Sequence, residues 1–217
     1  MGFNDERKRM NEGELYRSND AEILKEQLQC VEKLYDYNVT RPSEKQKRKG
    51  LLKEMFAVIG DGCHIEPPFH ANWGGKYVHF GKGVYANFNL TLVDDVEIYV
   101  GDYTMMGPNV TIITGTHPIL PELRKEAYQF NLPVYIGENV WIGAGTIILP
   151  GITIGDNSVI GAGSIVTKDI PKNVVAYGQP CTIKREINDH DKIYYYKEKS
   201  KVFNIFDFFI YGLNTYY

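Results

Sequence analysis

The sequence predicts a mainly β chain wound as a parallel β-helix, with an N-terminal helical segment and an extended loop leaving the coil that holds Ile112. Three observations predict it. From residue 134 the chain reads VYIGEN VWIGAG TIILPG ITIGDN SVIGAG SIVTKD, with a branched aliphatic at every sixth position: Ile136, Ile142, Ile148, Ile154, Ile160 and Val166. Upstream the same period is weaker but legible, through Phe80, Ala86 and Leu92 and then Val100, Met106 and Ile112. Before the repeat, apolar residues fall at helical spacing instead.

A period of six matches neither the 3.6 of a helix nor the 2.0 of a plain strand. It matches a coil in which each hexapeptide supplies one short strand and one turn. Three such strands close a triangular coil of about 18 residues, and successive coils stack as parallel strands. One aliphatic side chain per side then points inward. Glycine follows it at 137, 143, 155 and 161, which suits a corner where a Cβ would clash. A prism of this kind encloses only a narrow core, so its flat outer sides call for partners or flanking elements.

Residues 1–60 form the N-terminal helical segment. Asp20 is the expected cap of a helix carrying Ile23, Leu24, Leu28, Val31, Leu34 and Tyr35 close to one stripe. A second helix is expected after Arg41-Pro42. There Ser43 and Gln46 have capping-box spacing, and Leu51, Leu52, Met55, Phe56 and Ile59 follow on one face. The charged run 44–49 reads as a solvated helix face. Residues 61–185 form the β-helix, interrupted by the inserted loop 113–135, about one coil longer than the pattern needs. Residues 186–217 form a C-terminal tail rich in aromatics, including Phe203, Phe206, Phe208, Phe209 and Tyr211. The tail's apolar stretch is too short to cross a bilayer and contains Asp207, so it is expected to pack on the body or on a neighbouring subunit rather than on a membrane.

Bulk composition narrows the function classes. A net charge of -3 offers no broad basic field for nucleic acid. Cys30, Cys63 and Cys181 show no CxxC spacing and read as idle thiols in a reducing compartment. The N-terminus MGFNDERKRM has no apolar core for secretion, and residue 6 is Glu where a myristoylation signal needs Ser or Thr. A cytoplasmic enzyme or binding protein is expected. No metal set emerges: His64, His70 and His79 lack acidic or thiol neighbours at ligand spacing.

The strongest candidate for chemistry is His117, because it stands where the long loop leaves a rigid scaffold. A histidine followed by proline is a weak signal by itself; its placement carries the reading. A neutral imidazole can take the proton of a sugar hydroxyl near neutral pH. The oxygen can then attack a thioester carbonyl, helped by an amide donor aimed at the developing oxyanion. No Ser or Cys stands in a convincing nucleophile setting, which points to direct transfer rather than a covalent acyl-enzyme.

Several motifs are more specific than the repeat: GELYRS, RPSEKQKR, LLKEMFA, IEPPF, YANFNLTLVDD, THP, ELRK, VWIGAG, PGITIGDNSVIGAGSIVTKDIPKNVVA and REINDHDK. Up to about Lys192 the chain resembles the galactoside and maltose O-acetyltransferase group of the hexapeptide-repeat acetyltransferases. ANFNLTLVDD and REINDHDK look closer to the galactoside enzymes, GELYRS and the THP stretch to the maltose ones. The resemblance implies a left-handed β-helix, acetyl-CoA as co-substrate, and a homotrimer with active sites at subunit interfaces. It implies that His117 is the general base, that Asn87 lies beside it and binds substrate or stabilises the tetrahedral intermediate, and that Asp95 bonds the sugar. Ser18, Asn72 and Gln129 fall where the family touches the sugar, although the galactoside enzyme has Asp, Ser and Met there. On the CoA side it implies Asn87, Trp141, Ala144, Ala162, Thr167, Lys168 and Arg185. Thr182 stands where the family has a further arginine, with Lys184 two residues on. Two other readings stay open at this stage: a different acceptor (maltose, glucose or another small alcohol), and a trimeric β-helix that serves only as a scaffold.

Overall fold

The structure is a computed structural model that describes residues 3–196, 199 and 200. These fall into two compact units that part between Arg185 and Glu186.

The first unit is dominated by a left-handed β-helix with three parallel sheets as its sides. Side one runs Val58–Ile59, Val78–Phe80, Ile98–Val100, Val134–Ile136 and Thr153–Ile154. Side two runs His64–Ile65, Tyr85–Ala86, Met105–Met106, Trp141–Ile142, Val159–Ile160 and Val174–Tyr177, and ends on Thr182–Glu186. Side three runs His70–Ala71, Thr91–Val93, Thr111–Ile113, Ile147–Ile148 and Ile165–Val166.

Register confirms the hexapeptide reading residue by residue. Phe80, Val100, Ile136 and Ile154 stack on side one. Ala86, Met106, Ile142 and Ile160 stack on side two, and Leu92, Ile112, Ile148 and Val166 on side three. All are buried and belong to one core. From Ile136 to Ile154 is 18 positions and from Val100 to Ile136 is 36, so the inserted loop adds one coil's length without disturbing the stack.

The repeated glycines have a reason sharper than a bend. A Cβ on Gly143 would lie 2.4 Å from the backbone nitrogen of Ala162 in the next coil. The corner between sides one and two carries such glycines too, at 137 and 155, and two residues beyond them the positive-φ positions are Asn139 and Asn157, which with Asn173 have φ of 52°, 58° and 59° and link their amides in a ladder.

Helices close the N-terminal end. α1 (Phe3–Asn11) leads into the strand Tyr16–Arg17. α2 (Ala21–Asn38) is capped by Asp20, which accepts from the Glu22 and Ile23 amides as expected. Its apolar positions prove to be two stripes. Ile23, Leu34 and Tyr37 are buried, whereas Leu24, Leu28, Val31 and Tyr35 are 39–65 % exposed, because only one side of the helix meets protein in the chain. α3 (Lys45–Met55) corrects the expected capping box. The helix starts one residue too late for Ser43 to cap it, and the Glu44 carboxylate accepts from the Arg41 amide at 2.7 Å instead. Leu52, Met55 and Phe56 still seal the prism, with Phe56 edge-on to Phe69 and Phe80.

The second unit holds a short helix, Asp189–Ile193, with a capping box between Asn188 and Asp191, followed by a strand at Tyr194–Tyr196. The aromatic positions from Phe203 to Tyr211 lie outside the described residues.

Candidate active site

The inserted loop is a folded hairpin. Gly115–Thr116 pairs antiparallel with Tyr128–Asn131, which pairs antiparallel with Tyr16–Arg17 from the N-terminal segment. Between them α4 (Pro121–Lys125) begins with the proline that suits a first helical position. His117 follows the first strand and is exposed. Its Nδ1 lies 3.0 Å from the Tyr128 carbonyl oxygen. A carbonyl can only accept, so Nδ1 carries the proton of the neutral ring and Nε2 carries the lone pair. The hairpin thus fixes both the tautomer and the orientation of the one exposed imidazole at this corner. Ser18 is tied to the same hairpin, since its amide and Oγ both donate to the Ala127 carbonyl.

Beneath the hairpin two adjacent carboxylates turn the corner between sides three and one. Asp94 is fully buried and accepts from the amides of Trp73 at 2.8 Å and Gly75 at 2.9 Å. Burial pushes its carboxyl up to about 7 despite those donors. Asp95 is 6 % exposed. Its Oδ1 accepts from Asn72 Nδ2 and from Trp73 Nε1, both at 3.2 Å, and its Oδ2 from Gln129 Nε2 at 2.9 Å. Burial raises its pKa; the three side-chain donors pull it back, and so does the charge of a protonated His117, which is close enough to be felt. Asp95, Asn72 and Gln129 therefore form one connected group, with His117 beside it.

The other expected residues stand elsewhere in the chain. Asn87 follows Ala86 at the corner between sides two and three. Its Oδ1 accepts from the Phe88 amide, and its Nδ2 bonds to nothing else among the described residues. Ala144 and Ala162 occupy that same edge one coil apart, linked through the Gly163 amide and the Ala144 carbonyl at 2.8 Å. Trp141 is 55 % exposed on side two, in line with Met105 and Val159. Thr167 and Lys168 lie exposed beyond Val166, on the edge that also carries Asp95 and the hairpin. Arg185 is exposed on Thr182–Glu186, the strand that ends side two. Within one chain Asn87, Ala144 and Ala162 thus stand on one edge of the prism and His117, Asp95, Thr167 and Lys168 on another, with Trp141 and Arg185 on strands of side two.

Sequence reasoning missed Tyr16, Trp73, Asp94 and Asn131, all buried around Asp95. Asn131 Nδ2 donates to the Tyr16 hydroxyl, which also accepts from Gln129 at 2.6 Å. The signals were present as Tyr16 inside GELYRS and the doubled acid of VDD, but only the hairpin brings residues 16, 95 and 129 together.

A hexapeptide solenoid with an oriented imidazole on an inserted hairpin, a group of hydrogen-bonded polar side chains beside it and a small-residue edge suits an acyltransferase. Comparisons with known proteins agree. Residues 9–60 match the maltose acetyltransferase hexapeptide capping motif, and residues 133–168 match the bacterial transferase hexapeptide (six repeats). A galactoside O-acetyltransferase of Lactococcus lactis is 58 % identical over 184 residues, 85 % of this chain and 89 % of that one. A galactoside acetyltransferase solved in complex with coenzyme A superposes with a TM-score of 0.87 at 47 % identity, covering 90 % of this chain and 98 % of the other. A maltose O-acetyltransferase from Clostridium difficile 630 gives 0.82 at 42 % identity, covering 85 % and 98 %. The chain belongs to the galactoside and maltose O-acetyltransferase family of hexapeptide-repeat enzymes.

Proposed function

We propose that the protein moves the acetyl group of acetyl-CoA to a hydroxyl of a sugar, a galactoside being the acceptor best supported, with His117 as general base. The observation that carries this reading is the His117 ring held at Nδ1 by the Tyr128 carbonyl, on a hairpin that also roofs Asp95. Nε2 takes the proton of the acceptor hydroxyl as its oxygen attacks the acetyl carbonyl. The Asn87 amide donates to the oxygen on which negative charge develops. The carbon–sulfur bond then breaks, and the imidazolium returns the proton to the departing sulfur. Asp95, with Asn72, Gln129 and Ser18 around it, receives the remaining hydroxyls of the sugar. Similarity to a galactoside enzyme at 58 % identity supports that acceptor. The maltose-type capping motif over 9–60 favours maltose or glucose as the second reading.

The small side chains of Ala144 and Ala162 suit a slender pantetheine arm laid along their edge beside Trp141. Thr167, Lys168 and Arg185 supply polar and cationic contacts for the nucleotide end, with Lys184 as a further cation beside Thr182. Because Ala144, Ala162 and Asn87 share an edge that His117 does not, a complete site on this reading requires a second chain. We therefore place the sites at the seams of a homotrimer. No helix of the described residues is long and apolar enough to cross a membrane, and three unpaired thiols suit the reducing cytoplasm in which we place the enzyme.

Mixed assemblies test the reading. His117→Ala and Asn87→Ala chains, each poorly active alone, are combined at equal amounts and assayed by thiol release from acetyl-CoA with a galactoside. Seams between chains predict recovery of roughly a quarter of wild-type activity, the share of seams that inherit both intact residues on random mixing. Recovery no better than the parents would sink the shared-site arrangement.

A further inference from the structure

The bonds around Asp95 can be counted. An ionised carboxylate has about four lone-pair sites. Asn72 Nδ2 and Trp73 Nε1 fill both of those on Oδ1, and Gln129 Nε2 fills one on Oδ2. One acceptor direction is left. Gln129 Nε2 carries two protons and has three oxygens in reach: the Tyr16 hydroxyl at 2.6 Å, Asp95 Oδ2 at 2.9 Å and Asn131 Oδ1 at 3.1 Å. The two shorter contacts take the two protons. Tyr16 is 2 % exposed, and burial raises its pKa, so it stays a neutral phenol whose oxygen can accept. With that oxygen present, the Gln129 amide has a reason to face its nitrogen toward Asp95. Without it, one of the two acceptors that hold the amide nitrogen toward Asp95 is lost, and the amide is less firmly fixed. The backbone also leaves room for Oδ2, because a Cβ at Gly115 would lie 2.3 Å from it.

We propose that Tyr16 and Gln129 are positioning residues for acceptor recognition: Tyr16 sets the face of the Gln129 amide, and the amide fixes Oδ2 of Asp95 with a single remaining lone pair, so that the carboxylate takes one hydroxyl donor and no more. This rests on the reading that Asp95 receives an acceptor hydroxyl. It gives Gln129 a role through Asp95 that its position in the sequence does not suggest, and it gives a function to Tyr16, which touches no solvent-exposed part of the site.

Two readouts test the idea separately. The first is the titration of the Asp95 carboxyl, followed by carbon NMR on protein labelled at aspartate and assigned with Asp95→Asn. Losing one donor to the charged form should raise the midpoint by about one pH unit in Gln129→Met, and by less in Tyr16→Phe, which keeps the packing. Midpoints equal to wild type in both variants would overturn the proposal. The second is calorimetric binding of a thiogalactoside, in the His117→Ala background so that the base does not contribute. Gln129→Met should weaken it about tenfold while the affinity for acetyl-CoA stays unchanged. Gln129→Glu, nearly identical in shape, should bind poorly at pH 8 and regain affinity as pH falls, because the protonated acid donates where its anion repels. A merely structural role gives no such inverse pH dependence, and its absence would count against the proposal. A shifted midpoint with unaltered sugar affinity would uphold the positioning and reject the assignment of Asp95 to the acceptor.

Discussion

The two edges of the prism that carry candidate residues are built on opposite principles. The edge between sides three and one is polar and crowded. The chain leaves the stack there, folds a hairpin, and buries two carboxylates under five hydrogen bonds from Trp73, Gly75, Asn72 and Gln129. The edge between sides two and three is bare. It stays in strict register, and Gly143, Ala144, Gly161 and Ala162 present almost no side chain. The proposed base and sugar-binding carboxylate need fixed orientation, which a network of donors supplies. A long flexible thioester needs close approach to backbone, which small residues supply. Specialising the edges separately means that neither geometry is compromised, and under the proposed function two chains would bring them together.

The comparison can be tested from its largest expected effect to its smallest. On the polar edge, His117→Ala should lower turnover by about 10²–10⁴-fold, the usual range for a lost general base. Thiol release would show it, and calorimetry should find acetyl-CoA binding intact. On the bare edge, Gly143→Ala forces a Cβ to within 2.4 Å of backbone and should cost roughly 1–3 kcal/mol of stability, read from denaturant unfolding. A wild-type midpoint would mean the coils are looser than the distance implies.

Asp94 makes a prediction about pH. Its pKa is near 7 in the folded chain and 3.8 is its ordinary value, so the unfolded chain releases its proton first. The stability it contributes is complete below about 4 and is lost as pH rises through about 7. Asp94→Asn should melt lower than wild type at neutral pH, because one of two buried amides loses its acceptor, yet lose less stability between pH 4 and 7. Parallel pH profiles for the two proteins would contradict the assignment. The smallest effect is expected for Arg17→Gln, which breaks an exposed 3.0 Å pair with Glu126 at the outer rim of the hairpin. Exposed pairs of this kind contribute about 0–1 kcal/mol, so melting and turnover should hardly move.

The repeat was legible because a six-residue period with one inward aliphatic leaves no other economical solution, and the stacked columns from Phe80 to Val166 follow it position by position. The extra coil's length at 113–135 was legible for the same reason, as a break in the period. The α2 stripe was only half legible. Leu24 and Leu28 are as apolar as Ile23 and Leu34, and nothing local says which side of the helix will meet protein. The Ser43 box failed because a capping motif competes with other ways of closing a turn, and here Glu44 closes it on Arg41.

The sequence by itself determined the prism, its register and the placement of His117 at the mouth of an inserted segment, since these depend on periodicity and chain order. Tertiary structure decided the rest of the polar edge. Tyr16, Asp95 and Gln129 are far apart in the chain, and their hydrogen bonds exist only because an N-terminal strand pairs with the hairpin. It also decided that Asn87 and His117 stand on different edges, which follows from how many strands separate them around a closed coil rather than from their residue types.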